Sequence, residues 1–106
     1  MNDFRKMIEQ NAESNGWILN QDGAWLHELI EFLWQNKERY GYPSCPCRLA
    51  KGEYGKDKDI ICPCDYAAPD IKEFGHCYCA LFFDKDFFKE GKQFEKIPER
   101  RPESKT

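Results

Sequence analysis

Six cysteines, arranged as three Cys-x-Cys pairs, are the residues of this sequence best suited to chemistry. The pairs are Cys45-Pro46-Cys47, Cys62-Pro63-Cys64 and Cys77-Tyr78-Cys79, separated by fourteen and then twelve residues. Zinc ribbons and thioredoxin-type enzymes use Cys-x-x-Cys instead, so the spacing favours neither. Because cysteine thiolates bind soft metals and exchange disulfides, the pairs indicate metal binding, redox chemistry or both.

The six thiols divide naturally into four and two. A 4Fe-4S cluster takes four cysteine thiolates, one for each iron, which leaves two thiols for one disulfide. Residues i and i+2 of an extended backbone share a face, whereas a bend at proline can direct them to different sites. One sulfur of a pair can therefore serve a cluster and its neighbour a disulfide. The count alone does not decide which four cysteines bind iron.

Length, charge and hydropathy narrow the class of protein. The 106 residues suffice for one domain with a single core. The net charge of −3, spread through the chain, gives no reason to expect a nucleic-acid partner. No apolar run is long enough to span a membrane, and the N-terminal residues lack the apolar core of a signal peptide. We therefore expect a cytoplasmic protein without membrane contact, in which cysteines are more often ligands or catalytic thiols than structural bridges.

Two amphipathic helices are predicted ahead of the first cysteine pair. Apolar residues recur at helical spacing over residues 3–14, and Gly16 can end that helix. Asp22 can cap a longer helix that ends near Gly41, because Pro43 prevents its continuation. The apolar stripe of this second helix, expected to pack on the first, comprises Trp25, Leu26, Leu29, Ile30, Phe32 and Leu33. The first cysteine pair should thus emerge from a turn at the end of the longest helix.

Loops should dominate between the cysteine pairs. Residues 48–53 and 65–74 are long enough for only two or three helical turns, and the lack of sustained alternation argues against a sheet, although residues 80–83 could be extended. The phenylalanines after the last pair are expected to pack as core around the cysteines. They are Phe82, Phe83, Phe87, Phe88 and Phe94.

The predicted fold class is mainly α. We expect one small domain of short helices over residues 1–97, with the cysteine-bearing loops enclosing an iron–sulfur cluster. Residues 98–106 carry two prolines, five charged residues and no apolar side chain, and they are predicted to form a flexible tail.

The residues around the cysteine pairs form a specific pattern. Residues 36–48 read Asn-Lys-Glu-Arg-Tyr-Gly-Tyr-Pro-Ser-Cys-Pro-Cys-Arg, a second Cys-Pro-Cys follows, and the third pair leads into Leu81-Phe82-Phe83. With this pattern the chain resembles the catalytic chain of ferredoxin–thioredoxin reductase over residues 16–91. The resemblance implies a disulfide reductase in which single electrons from ferredoxin pass through a 4Fe-4S cluster to an adjacent disulfide. That disulfide in turn reduces thioredoxin or a thioredoxin-like protein.

The resemblance also implies a role for each cysteine. Cys47 and Cys79 would form the active-site disulfide, with Cys47 as the exposed attacking thiol and Cys79 as its buried partner. The remaining cysteines, Cys45, Cys62, Cys64 and Cys77, would ligate the cluster. In oxygenic phototrophs this catalytic chain works with a small variable subunit, which is a possible further partner here.

The third pair departs from the family pattern. The family usually has a histidine between the last two cysteines, where it is thought to assist proton transfer, but this chain has Tyr78. A phenol is poorly matched to proton transfer near neutral pH. His76, one residue before Cys77, could take the histidine's role or be an ordinary loop residue.

Four lysines between the pairs suggest where an electron donor could bind. Complementary charge speeds and orients encounter, so these lysines could meet an acidic ferredoxin. They could equally belong to a surface of mixed charge, since acidic residues interleave with them. The lysines are Lys51, Lys56, Lys58 and Lys72.

Two alternatives to a disulfide reductase remain open. In a non-enzymatic electron carrier with a 4Fe-4S cluster, four cysteines suffice and Cys47 and Cys79 would be inert. In a zinc-binding or disulfide-stabilised structural protein, no cysteine would transfer electrons. A fast-reacting Cys47 thiol would argue against the electron carrier. Visible absorption of the purified protein would exclude the structural protein.

Overall fold

Four helices and a two-stranded sheet make up the computed structural model of the protein, which describes residues 2–91 and 96–105. The helices are α1 (Asn2–Asn15), α2 (Gly23–Tyr40), α3 (Tyr54–Asp57) and α4 (Ala67–Phe74), and the strands are β1 (Trp17–Leu19) and β2 (Phe82–Asp84). Single 3₁₀ turns lie at Lys58–Ile60 and Glu103–Lys105. Of the helices described, none is long and apolar enough to cross a membrane. The expectation of one small, mainly helical domain is confirmed.

Helices α1 and α2 begin and end where the sequence predicts. The Asp22 carboxylate accepts a hydrogen bond from the Trp25 backbone N–H at 3.2 Å and so caps α2. Gly16 and Gly41 follow the two helices with φ angles of 75° and 86°, in the left-handed conformation that ends a helix at low cost for glycine. The end of α2 therefore lies directly before the first cysteine pair.

The buried stripe of α2 is narrower than predicted. Leu26, Leu29, Ile30 and Leu33 are buried in the core to which α1 contributes Phe4, Ile8 and Ala12. Trp25 and Phe32, however, are 39% and 51% exposed. They lie seven residues apart, so they share one face at the edge of the stripe. Because both residues are apolar, the sequence pattern could not show that they lie at the edge of the buried stripe and not at its centre.

A short sheet is present where none was expected. β1 pairs antiparallel with β2 in the register Trp17↔Asp84, Ile18↔Phe83 and Leu19↔Phe82. Each strand has three residues, too few for an alternating pattern to show in the sequence. Of residues 80–83, expected to be extended, Phe82 and Phe83 lie in β2, whereas Ala80 has a φ of 59° and precedes the strand. The pairing of β2 with β1 ties the third cysteine pair to the segment after α1.

The phenylalanines after the last pair form the core as predicted, so far as the structure describes them. Phe82, Phe83 and Phe87 are at most 2% exposed, and Phe88 is half-buried. Phe82 belongs to the main hydrophobic core, which also contains Cys45, Cys77 and Cys79. Phe83 and Phe87 pack with Ala80 in a second, smaller group of buried residues. Phe94 lies outside the described residues.

Residues 97–101 lie against the domain, although the sequence predicts a flexible tail from residue 98. Ile97 and Arg101 are 4% exposed. Arg101 donates to the Asp59 carboxylate at 2.9 Å and to the Lys56 carbonyl at 3.1 Å. The sequence predicts a flexible tail because the segment has no apolar side chain to bury. In the structure, Arg101 anchors it instead by pairing with the buried Asp59 carboxylate. The domain boundary at residue 97 stays a prediction, and these contacts favour a boundary after Arg101.

Candidate redox site

Backbone hydrogen bonds place the first two cysteine pairs side by side. The Cys45 N–H donates to the Ile60 carbonyl at 2.8 Å, and the Cys62 N–H donates to the Pro43 carbonyl at 2.9 Å. Between them, Ser44 and Ile61 form an antiparallel bridge. The two Cys-Pro-Cys segments are thus fixed next to each other at the end of α2.

The third pair lies on a tight turn that β2, β1 and α2 hold in place. The Cys77 N–H donates to the Phe82 carbonyl at 3.0 Å, and the Ala80 N–H donates to the Cys77 carbonyl at 2.9 Å. Trp25 Nε1 donates to the Cys79 carbonyl at 3.3 Å. Ala80 has a φ of 59°, a left-handed conformation that costs a non-glycine residue about 1–2 kcal/mol. The surrounding contacts therefore fix the direction in which Cys79 points.

All four predicted cluster ligands line a single pocket. Cys45 and Cys77 are each 6% exposed, and Cys62 and Cys64 are half-buried. Burial raises the pKa of Cys77 to about 11 and that of Cys62 well above its ordinary value. Such thiols become thiolates readily only when a bound cation compensates their charge. The pocket lining includes Cys45, Cys62, Cys64, Cys77 and Cys79, with Leu29, Leu81 and Phe82 as apolar neighbours.

Cys47 is exposed at the edge of this sulfur group. It borders a second cavity on the protein surface, beside Leu49 and Lys51. Its thiol hydrogen-bonds with those of Cys45 and Cys79, and these bonds lower the pKa of Cys47 to about 4. The same contacts raise the pKa of Cys79 far above its usual range. The accessible sulfur is thus favoured as the thiolate over the buried one, as thiol–disulfide exchange requires.

Two cysteines of this group, one from each predicted site, approach each other closely. The Sγ atoms of Cys45 and Cys79 lie 2.8 Å apart. Cys45 belongs to the predicted metal ligands and Cys79 to the predicted disulfide, so the two predicted sites touch. All six cysteines are free thiols in the structure.

Arg48 is a residue of this site that sequence reasoning missed. Its side chain is 2% exposed, and its Nη1 donates to Cys64 Sγ at 3.2 Å and to Cys45 Sγ at 3.7 Å. On its other edge, Nε and Nη2 donate to the Glu99 carboxylate, each at 2.8 Å. The only sequence signal was its place directly after the first Cys-Pro-Cys, and the partner Glu99 is fifty-one residues away.

His76 and Tyr78 point to different environments. His76 is 1% exposed and packs against the rings of Phe83 and Phe87, with Nδ1 2.8 Å from the Cys77 carbonyl oxygen. Tyr78 lines the sulfur pocket, where burial raises its pKa. The structure therefore brings Tyr78, and not His76, to the sulfurs. Proton transfer by His76 stays a prediction that this placement does not favour.

Three of the four lysines considered for donor binding lie together. Lys51, Lys56 and Lys58 are exposed and line one cavity, with Asp59 and Asp65 beside them. Lys72 lines a different cavity, next to Asp84. We call Lys51, Lys56 and Lys58 the lysine face.

Buried thiols that can bind a soft metal, next to one exposed thiol, are typical of proteins that combine metal binding with thiol–disulfide exchange. The family model described as "Ferredoxin thioredoxin reductase catalytic beta chain" matches residues 1–101. The ferredoxin-thioredoxin reductase catalytic chain of Porphyra purpurea is 31% identical over 85 residues, which cover 78% of this chain and 69% of the relative. That of Synechocystis sp. is 31% identical over 88 residues, covering 79% of this chain and 71% of the relative. The chloroplastic catalytic chain of Arabidopsis thaliana is 32% identical over 88 residues, covering 79% of this chain and 58% of the relative.

The chain therefore belongs to the ferredoxin–thioredoxin reductase catalytic chain family. It is an oxidoreductase, and its family is one of iron–sulfur disulfide oxidoreductases. The resemblance seen in the cysteine pairs and their flanking residues is confirmed.

Proposed function

We propose that this chain is a ferredoxin-dependent disulfide reductase that holds a 4Fe-4S cluster and reduces thioredoxin or a thioredoxin-like protein. One observation carries the proposal: the four proposed ligand thiols line one pocket together with the thiol of Cys79, and the exposed Cys47 follows Cys45 two residues along the chain. Cys47 and Cys79 are the redox-active dithiol. The cluster ligands are Cys45, Cys62, Cys64 and Cys77.

The donor set fits an iron–sulfur cluster. The four proposed ligand thiols and Cys79 line one pocket whose walls include Leu29, Leu81 and Phe82, and thiolate is the ligand that such clusters prefer. When bound, the cluster supplies one-electron transfer. The chain's own part is to hold the ligand sulfurs, to limit access of water and to keep Cys79 beside them.

Reduction of the target begins at Cys47. Its thiolate attacks one sulfur of the target disulfide, and a Cys47–target mixed disulfide forms as the target's own S–S bond breaks. The other target sulfur leaves as a thiolate and takes up a proton. The exposure of Cys47 and its lowered pKa both support this role.

Cys79 completes the exchange. Once deprotonated, it attacks Cys47 Sγ, so that a Cys47–Cys79 disulfide forms and the second target thiolate leaves. The target has then gained two electrons and two protons, and this chain has lost them. Two reduced ferredoxins, each giving one electron, together with two protons return the disulfide to the dithiol.

The distance between Cys45 and Cys79 favours a second pairing that an experiment must exclude. Their Sγ atoms, 2.8 Å apart, are close enough for a disulfide to form in protein that lacks metal. Peptide mapping of the air-oxidised protein after cluster reconstitution distinguishes the pairings. We expect a Cys47–Cys79 linked peptide, whereas a Cys45–Cys79 peptide as the main product would contradict the ligand assignment.

The surfaces near the site offer adjoining places for the two partners, with Lys51 at the border of both. The lysine face suits an acidic ferredoxin, while the target disulfide must reach Cys47, beside which Leu49 is 89% exposed. A small variable subunit and a cytoplasmic location stay predictions.

Matched serine variants test the proposal. Iron and sulfide content and visible absorption are measured for wild type, Cys62→Ser and Cys47→Ser after reconstitution. We expect Cys62→Ser to lose the cluster and Cys47→Ser to keep it. A colourless wild-type protein that binds zinc would refute the proposal.

Alkylation of the reduced protein separates the enzyme from a simple electron carrier. We expect Cys47 to react with iodoacetamide before any other cysteine, and its modification to abolish reduction of the target. Full electron transfer from ferredoxin to the target after Cys47 is blocked would show that the thiol is inert.

A further inference from the structure

A buried cation lies at the sulfur pocket, next to two of the sulfurs proposed to bind the cluster. The Arg48 guanidinium is 3.2 Å from Cys64 Sγ and 3.7 Å from Cys45 Sγ. Both sulfurs belong to the proposed cluster ligands. Because an isolated buried charge is costly, this arginine must be held by compensating contacts.

Contacts from three other parts of the chain hold the guanidinium in one orientation. The Glu99 carboxylate accepts hydrogen bonds from Nε and Nη2, which leaves Nη1 directed at the sulfurs. The ring centroids of Tyr66 and Tyr78 lie 5.1 Å and 4.6 Å from the guanidinium carbon, within the range of cation–π attraction. Arginine is always charged, so the positive charge at the sulfurs is permanent.

We propose that Arg48 sets the reduction potential of the cluster, with Glu99 and Tyr78 as residues that position it. The inference rests on the proposed function, because it requires a cluster on Cys45 and Cys64. An electron added to the cluster increases its negative charge, which a nearby cation and N–H donors to ligand sulfurs stabilise. Arg48 thus makes the cluster easier to reduce.

This inference gives Tyr78 a role that does not involve proton transfer. Its ring packs against the guanidinium on the side of the third cysteine pair. The aromatic face does this work, and the hydroxyl does not take part. Tyr78→Phe should therefore leave the potential unchanged, whereas Tyr78→Leu should shift it in the same direction as loss of Arg48.

The test is a redox titration of the reconstituted protein, followed by visible absorption. We expect Arg48→Gln to lower the midpoint potential of the cluster and Arg48→Lys, which keeps the charge, to lower it less. Glu99→Gln keeps one acceptor oxygen for the guanidinium but removes a negative charge, so it should raise the potential. Arg39→Gln removes the same charge as Arg48→Gln at an exposed position of α2 and should change nothing.

The opposite signs for Arg48→Gln and Glu99→Gln distinguish an electrostatic role from a purely structural one. If both variants hold a cluster at the wild-type potential, the inference is wrong and the proposed function stands. If Arg48→Gln does not retain a cluster, Arg48→Lys and Tyr78→Leu decide: a lowered potential in both supports the inference, and an unchanged potential in both overturns it. A wild-type protein that assembles no cluster would overturn both proposals together.

Discussion

Cys45 and Cys79 bring their Sγ atoms to within 2.8 Å of each other across two separate loops. The first loop follows α2 and the second precedes β2, so the contact depends on the packing of both ends of the domain. Cys45 is a proposed metal ligand and Cys79 the proposed resolving thiol. The proposed metal site and the proposed disulfide site therefore touch, which is the arrangement that a reductase fed by single electrons needs.

Charge reversal on the lysine face should slow electron entry. We expect Lys51→Glu combined with Lys58→Glu to reduce the rate of reduction by ferredoxin about tenfold at low ionic strength, because encounter loses its electrostatic steering. Stopped-flow absorption at several salt concentrations measures this rate. Lys72→Glu, which reverses a lysine outside this face, is the control. Equal rates for the double variant and wild type would place ferredoxin elsewhere.

Asp57 should be a major stabilising residue of the loop between the first two cysteine pairs. Its carboxylate is 0% exposed and accepts hydrogen bonds from the Tyr42 hydroxyl at 2.5 Å and the Lys51 and Gly52 N–H groups at 3.0 Å. Asp57→Asn turns one acceptor into a donor that faces N–H groups, so we expect a loss of about 1–3 kcal/mol in the free energy of unfolding.

Urea unfolding of the reconstituted protein measures this loss. Asp65→Asn makes the same substitution at an exposed position and should leave the unfolding midpoint unchanged. Equal midpoints for Asp57→Asn and Asp65→Asn would show that the hydrogen bonds to Asp57 add little.

Asp59 should make stability depend on pH in the acid range. Although burial opposes its ionisation, the hydrogen bonds from Arg101 and Tyr66 lower the pKa of Asp59. The unfolded chain then binds the proton more readily, so this stabilisation is present above the unfolded pKa of about 3.9 and is lost as pH falls through the folded pKa.

Asp59→Asn removes the titrating group, so a comparison with wild type isolates its contribution. We expect the difference in free energy of unfolding between the two proteins to be largest above about pH 5. It should shrink as the solution is made more acidic, because the Asp59 carboxyl of wild type then becomes protonated. Urea unfolding at a series of pH values checks this. A difference that stays constant with pH would mean that the Arg101 contact does not depend on the charge of Asp59.

Removal of the cluster should loosen the segment from residue 45 to residue 79. The proposed ligand sulfurs lie on three loops, so a bound cluster would link these loops, and the energy of metal binding contributes to folding. Limited proteolysis of the chelator-treated protein should cut there faster than in reconstituted protein, while α1 and α2 stay protected. Equal cleavage rates in the two forms would contradict this.

Local signals explain what the sequence could predict. Asp22 and Gly41 mark the ends of α2 because a cap and a left-handed glycine act within one helical turn. The cysteine pairs identified the sulfur pocket because their number and their flanking residues match a family. These features depend on neighbours in the sequence, or on a pattern that the whole family shares.

Long-range contacts explain what the sequence could not predict. Nothing near Arg48 indicates that Glu99 will pair with it, and the segment that carries Glu99 looked like a solvated tail. The direction of the His76 side chain could not be predicted either. Only Cys77 separates His76, which packs among phenylalanines, from Tyr78, which lies at the sulfurs. Both depend on how the ends of the chain pack together.

The central claim, that Cys47 is the thiol that attacks the target, is tested most directly by a reconstituted assay. Reduced ferredoxin, this chain and an oxidised thioredoxin are combined, and the appearance of thioredoxin thiols is followed for wild type and Cys47→Ser. We predict that wild type reduces thioredoxin and that Cys47→Ser does not, while both proteins show the same cluster absorption. Equal reduction by the two proteins would contradict the assignment of the attacking thiol.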